Sequence, residues 1–131
     1  MKDALLEFGS LAAITTAAVA YPNEIDFGTI DARRKFGKHN NADGEMNYIC
    51  IRFTGNVPVS VTITIQSKAL SAGTYAAIST HTLVNPKGNV EHRIPMPAEF
   101  NRFVQVQITG SAATDAVGST AWIQRGAAVA V

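Results

Sequence analysis

The chain has 131 residues, of which 47% are hydrophobic and 16% are charged, and this balance excludes an intrinsically disordered protein. Its 11 basic and 10 acidic residues give a formal net charge of +1, which is too small for a protein that mainly binds nucleic acid or an anionic membrane. Length and composition predict one domain over residues 1–131, with no nucleic acid and no membrane among its partners.

The N-terminal twenty residues resemble a secretory signal peptide only in part. Residues 11–20 are rich in small apolar side chains, but Asp3 and Glu7 place negative charge where a signal peptide carries positive charge. We therefore interpret residues 1–10 as an N-terminal arm of the domain. Residues 3–8 are the only helix candidate in the sequence, and they are too few to form a stable helix alone.

Alternation of apolar and polar residues with a period of two recurs along the chain, whereas the period of 3.6 typical of a helix hardly occurs. The clearest example is 57–66, a predicted half-buried strand. Its inward face consists of Val57, Val59, Val61, Ile63 and Ile65. Further strand candidates are 11–21, 24–27, 46–53, 104–109 and 119–131. The pattern predicts an all-β protein, an antiparallel β-sandwich of about eight strands with a long loop before the third strand.

Residues 85–88 read Asn-Pro-Lys-Gly, which is typical of a type I turn, and they predict a hairpin in which Val84 lies opposite Val90. This register places the apolar residues of both strands on one face. These residues are Ile78, Val84, Val90, Ile94 and Met96. His81 and His92 then lie on opposite faces, so the sequence does not predict a metal site there.

The sequence contains no motif of a known catalytic chemistry. Its single cysteine, Cys50, cannot form an internal disulfide and lies between two isoleucines, which indicates a buried thiol. A glycine-rich phosphate loop, a pair of Cys-x-x-Cys motifs and a nucleophile elbow are all absent from the sequence. Glu24 and Asp26 have a spacing that can bind calcium, but a solvated strand edge is the simpler interpretation. We therefore predict a protein that is not an enzyme and has no cofactor.

Residues 31–45 are the polar exception in this apolar chain and hold 4 of its 11 basic residues. A connection of this length is uncommon in a compact domain and is often functional, although a solvated surface loop is the alternative. We interpret the stretch as a long basic loop that contacts a partner protein or a second subunit. Its candidate contact residues are Arg33, Arg34, Lys35, Phe36 and Lys38.

Several segments, in order along most of the chain, resemble the small cement (decoration) proteins of tailed-phage capsids. They are 5–8 (Leu-Leu-Glu-Phe), 12–18, 23–28 (Asn-Glu-Ile-Asp-Phe-Gly), 61–67 and 100–106. The resemblance implies a jelly-roll β-sandwich that forms a homotrimer on the outer surface of the virion. There it would clamp neighbouring subunits of the major capsid protein at three-fold and quasi-three-fold positions, without catalytic residues.

Two other functions remain open from the sequence. A carbohydrate-binding β-sandwich would present aromatic rings along a groove, with outward-facing glutamines as hydrogen-bonding groups. The residues available for it are Trp122, Tyr21, Tyr48 and Tyr75, at least one of which should be buried, and Gln66, Gln105 and Gln107. A secreted or tail-associated adhesive domain is the other alternative, favoured by the signal-like N-terminus.

Overall fold

A computed structural model describes residues 7–27, 46–97, 100–114 and 117–126. These residues form nine strands and no helix, which confirms the prediction of an all-β protein. The strands are β1 (Glu7–Leu11), β2 (Val19–Ala20), β3 (Ile25–Asp26), β4 (Met46–Phe53), β5 (Val61–Lys68), β6 (Ala76–Leu83), β7 (Glu91–Pro95), β8 (Phe103–Gly110) and β9 (Ser119–Gly126).

The strands form two antiparallel sheets that pack as a sandwich. The first sheet has the strand order β1-β9-β4-β7, and the second has the order β2-β8-β5-β6, with β3 also paired to β8. Most connections between the described strands cross from one sheet to the other, as those from β4 to β5, from β6 to β7 and from β8 to β9 do. The strands β5 and β6, by contrast, are consecutive and paired, as in a hairpin.

The core lies between the sheets, where alternate residues of the central strands point inward. In β5 the pattern is strict, since Val61, Ile63 and Ile65 are fully buried and the residues between them are half-buried. Strand β5 begins at Val61 and not at Val57. Val57 is buried in the preceding connection, where its N–H donates to the carbonyl of Pro86 at 2.9 Å, and Val59 is only partly buried.

The predicted hairpin around residues 85–88 is wrong. Strand β6 pairs with β5 in the second sheet, and β7 pairs with β4 in the first, so the connection between β6 and β7 crosses the sandwich. Ile94 is buried, whereas Val84 is 74% exposed and Val90 is 49% exposed, and the apolar residues therefore do not share one face. Each strand instead pairs with a strand from an earlier part of the chain, β6 with β5 and β7 with the longer β4.

The first described residues form a strand and not the end of the helix candidate at residues 3–8. Glu7 and Phe8 belong to β1 and not to a helix, because Phe8 is fully buried in the core and β1 pairs with β9. Gly9, with φ of +102°, supplies the irregular step in this pairing. The predicted strand 11–21 is reduced to the end of β1, an isolated bridge at Ile14 and the two residues of β2.

Candidate functional site

One end of the sandwich holds both attachment points of the long basic loop. At this end, which we call the loop end, β4 and β8 begin and β5 and β9 end, as the pairs Met46–Gly126 and Lys68–Phe103 define. The basic loop leaves the described fold after Phe27 and re-enters it at Met46. Strand β1 runs away from this end and starts at Glu7, opposite Trp122 in the middle of β9.

The predicted contact residues themselves are not part of the described structure. Arg33, Arg34, Lys35, Phe36 and Lys38 all lie outside the described residues, as does the rest of 28–45. Their interaction with a partner stays a prediction. Only the positions at which the loop is attached to the two sheets are known.

Lys68, the last residue of β5, is the centre of a charged and aromatic cluster at the loop end. Its ammonium lies 3.4 Å from a carboxylate oxygen of Glu24 and donates a hydrogen bond of 2.9 Å to the carbonyl of Ser71. The same ammonium lies 4.4 Å from the centre of the Tyr75 ring and 5.8 Å from that of Phe103, within the range of a cation–π contact. Lys68 is therefore committed to contacts within this chain.

Tyr75 donates a hydrogen bond from its hydroxyl to the Glu24 carboxylate. Burial is the main cause that raises the pKa of Tyr75 above its ordinary value, and the bond to Glu24 and the charge of that carboxylate act in the same direction. The phenol therefore remains protonated and neutral over the physiological pH range, as a hydrogen-bond donor and not as a base.

A second ion pair, between Arg102 and Asp26, lies at the same end of the sandwich. Arg102 donates from Nε and Nη2 to the two carboxylate oxygens of Asp26, at 2.7 and 2.8 Å, and these bonds raise the pKa of its guanidinium. The guanidinium carbon also lies 5.0 Å from the centre of the Phe103 ring. Glu24 and Asp26 thus each form an ion pair with a cation of this chain. These pairs agree with a solvated strand edge, the simpler interpretation of their spacing.

The exposed apolar residues lie at both ends and on β6. Leu70, in the β5–β6 turn at the loop end, is 71% exposed. Val84 and Val90 lie at the opposite end, in the connection between β6 and β7. Ile78 is 38% exposed on β6, the edge strand of the second sheet.

The outer face of the second sheet is polar and, in its middle, uncharged. Its central side chains are Thr62, Thr64 and Gln66 of β5, Gln105, Gln107 and Thr109 of β8, and Thr80 and Thr82 of β6. The amide of Gln105 donates to the carbonyl oxygen of Gln66 at 2.7 Å, so this pair is already hydrogen-bonded across the strands.

The aromatic residues considered for sugar binding do not form an exposed platform. Trp122 is only 3% exposed and Tyr21 only 2%, which confirms that at least one of the four is buried. Tyr48 lies 5.7 Å from the guanidinium of Arg93, and Lys68 lies over Tyr75. Because the rings are buried or face cations, no observation favours the carbohydrate-binding alternative.

Cys50 is fully buried, as predicted, and burial raises the pKa of its thiol to about 11. His81 and His92 lie in different sheets and each Nε2 has a partner, the Ser79 hydroxyl at 2.7 Å and the Lys87 carbonyl at 2.9 Å respectively. Within the described ranges, no three His, Cys, Asp or Glu side chains cluster as metal ligands. The same residues include no helix long and apolar enough to cross a membrane.

Comparison with known proteins adds no relative to these observations: no protein-family model and no curated protein matches the chain.

Proposed function

We propose that this chain is a structural, non-enzymatic protein that decorates the outer surface of a tailed-phage capsid. In this role it clamps neighbouring subunits of the major capsid protein, as a homotrimer. The trimer and the position on the virion come from the resemblance to cement proteins. The strand order of the two sheets is the observation that carries the proposal.

This strand order supports a jelly-roll sandwich. With β2 and β3 taken together as one broken strand, eight strands form two sheets of four, and the chain passes repeatedly between them. Each sheet contains strands from both halves of the chain, for example β1 beside β9 and β2 beside β8. We infer a jelly roll from this arrangement, and a jelly roll is the fold that the resemblance implies.

The loop end is the surface that we assign to the capsid. The basic loop is attached there, and Leu70 adds an exposed apolar side chain. The charged groups of the described cluster are paired within the chain, so the cations that we assign to the partner contact are Arg33, Arg34, Lys35 and Lys38. Arginine forms bidentate pairs with carboxylates, and Phe36 supplies an apolar anchor beside the two arginines.

The test is a capsid-binding assay with Arg33→Ala/Arg34→Ala over a series of salt concentrations. We expect lower occupancy at low salt and a weaker dependence on salt than in the wild type, because two cations are lost from the interface. Arg52→Ala/Lys87→Ala is the matched control, since it removes two exposed cations at the opposite end. Equal occupancy of both variants at every salt concentration would show that the basic loop does not contact the capsid.

A further inference from the structure

The two sheets have four edges, and three of them carry features that prevent pairing with another strand. Strand β7 has two charged residues, Glu91 and Arg93, and ends at Pro95. Strand β1 has only five residues and an irregular step at Gly9. The third protected edge consists of β2 and β3, with two residues each. Charge, proline, irregularity and short length are the usual protections of a sheet edge.

Strand β6 is the exception. It has eight residues, Ala-Ala-Ile-Ser-Thr-His-Thr-Leu, with no Lys, Arg, Asp, Glu or Pro. Among the described strands it pairs with β5 alone, on one side, and five of its eight side chains are exposed. Its one irregularity places Ile78 outside the register, since Ser79 lies opposite Ile65 and Ala77 opposite Gln66. Residues 79–83 then follow as a regular strand, and no strand in the described part of the chain pairs with its outer edge.

We propose that β6 pairs antiparallel with β6 of a second copy of this chain, across a two-fold axis near residues 79–83. A two-fold axis pairs residues that lie equally far on either side of it, and a residue on the axis with itself, so a strand with charges of one sign would oppose its own charge. Strand β6 has no acidic residue, lysine or arginine and meets no such repulsion. Its isoleucine and three threonines or serines include β-branched residues that favour strand pairing.

The pairing would extend the second sheet through both copies. The polar outer face would continue across the axis, because Thr80 and Thr82 lie on it beside β5. Ile78, 38% exposed at the edge, would gain a partner surface. Backbone hydrogen bonds would supply most of the contact, as in other cases of strand addition.

This contact does not depend on the proposed function. It is isologous, so it joins subunits in pairs, whereas a three-fold contact would use another surface of the chain. Pairing through β6 can therefore be measured on the isolated protein, and its failure would leave the capsid-binding assay unaffected.

Disulfide cross-linking tests the pairing directly. Thr80→Cys and Thr82→Cys are oxidised at pH 8 separately and as an equal mixture, which covers registers in which either residue lies near itself or the other. Cys50 stays unreactive because it is buried and its thiol pKa is about 11. Ser10→Cys, an exposed position on the protected edge β1, is the control. We expect two-chain cross-links in at least one β6 sample and only traces in the control.

Two further measurements test the pairing of β6 if a cysteine variant folds poorly. In the wild-type protein, amide hydrogen exchange of β6 should slow as protein concentration rises. Thr80→Lys should lower the molar mass seen by light scattering at a given concentration, while Ser10→Lys should not. Cross-linking no greater than in Ser10→Cys, or β6 exchange that is independent of concentration, would overturn the pairing. Protection that appears only after capsids are added would assign the edge to another protein instead.

Discussion

At the scale of single residues, Tyr21 shows how a buried polar group is accommodated in this core. Its backbone N–H donates to the Val106 carbonyl at 2.9 Å, and its hydroxyl lies 2.6 Å from the hydroxyl of Ser119, which is also buried. Burial raises the pKa of Tyr21 to about 12, against a smaller opposite effect of the bond to Ser119. The pair ties the segment between β2 and β3 to the first strand residue of β9.

The raised pKa predicts a loss of stability in alkali. The pKa of Tyr21 in the folded protein lies above the ordinary value of 10.0. Its contribution to the free energy of unfolding is therefore complete below pH 10 and is lost as pH rises through about 12. Two pKa units correspond to roughly 2–3 kcal/mol of unfolding free energy. The buried thiol of Cys50 acts in the same direction between pH 9 and about 11.

Tyr21→Phe isolates this effect in urea unfolding curves measured from pH 8 to 12. At pH 8 the variant should be less stable by about 1–2 kcal/mol, because Ser119 loses its partner in a buried site. Above pH 10 the difference in unfolding free energy between variant and wild type should become smaller, since phenylalanine has no proton to lose. A gap that stays constant up to pH 12 would contradict the burial of this hydroxyl.

At the scale of elements, two of the crossing connections at the end opposite the loop end, β4–β5 and β6–β7, are hydrogen-bonded to each other. Asn89 donates from its N–H to the Phe53 carbonyl at 2.8 Å, and the N–H of Gly88 donates to the side-chain oxygen of Asn56 at 3.0 Å. The backbones of Gly88 and Gly55 are in close contact, since a Cβ on Gly88 would lie 2.3 Å from the carbonyl carbon of Gly55. The predicted hairpin is replaced by this mutual packing of two crossings.

Gly88→Ala should therefore destabilise the protein by about 1–3 kcal/mol, because the backbone of the neighbouring connection must move. Gly55→Ala is the matched control, since a Cβ there has no neighbour within 4 Å and should change stability by less than about 0.5 kcal/mol. Thermal or urea unfolding of the two variants measures the difference. Equal stability of the two would show that the crossings do not pack together.

At the scale of the whole molecule, the fold separates two ends of different character. The loop end carries the attachment points of the basic loop, and the opposite end carries the packed crossings. Both ends present an exposed aliphatic side chain, Leu70 at the loop end and Val84 at the other, with similar exposure of 71% and 74%. These two residues form a matched pair for locating the capsid contact.

Leu70→Lys should lower capsid occupancy, because a hydrated ammonium would replace an apolar contact, and Val84→Lys should leave occupancy unchanged. Neither substitution should alter the melting temperature, since both side chains lie mostly in solvent. Quantification of bound protein on purified capsids measures the result. A larger loss for Val84→Lys would reverse the assigned orientation of the protein on the shell.

The sequence by itself determined the class of fold and several burial patterns. Alternation with a period of two is a local property, and it located β4 and β8 closely and the inward face of β5. The isoleucines beside Cys50 were enough to predict its burial. The contact residues of the basic loop, Arg33 to Lys38, stay predictions from charge and length alone.

Only the tertiary structure decided which strands pair and where the chain changes sheets. An Asn-Pro-Lys-Gly turn reverses the chain equally well within a sheet and between two sheets, and parity along β6 and β7 cannot distinguish these cases. The pairing of β1 with β9 joins residues more than one hundred positions apart through backbone hydrogen bonds that every amino acid except proline can donate. The open edge of β6 is a consequence of such pairings, because a strand becomes an edge only through the partners that the rest of the chain supplies.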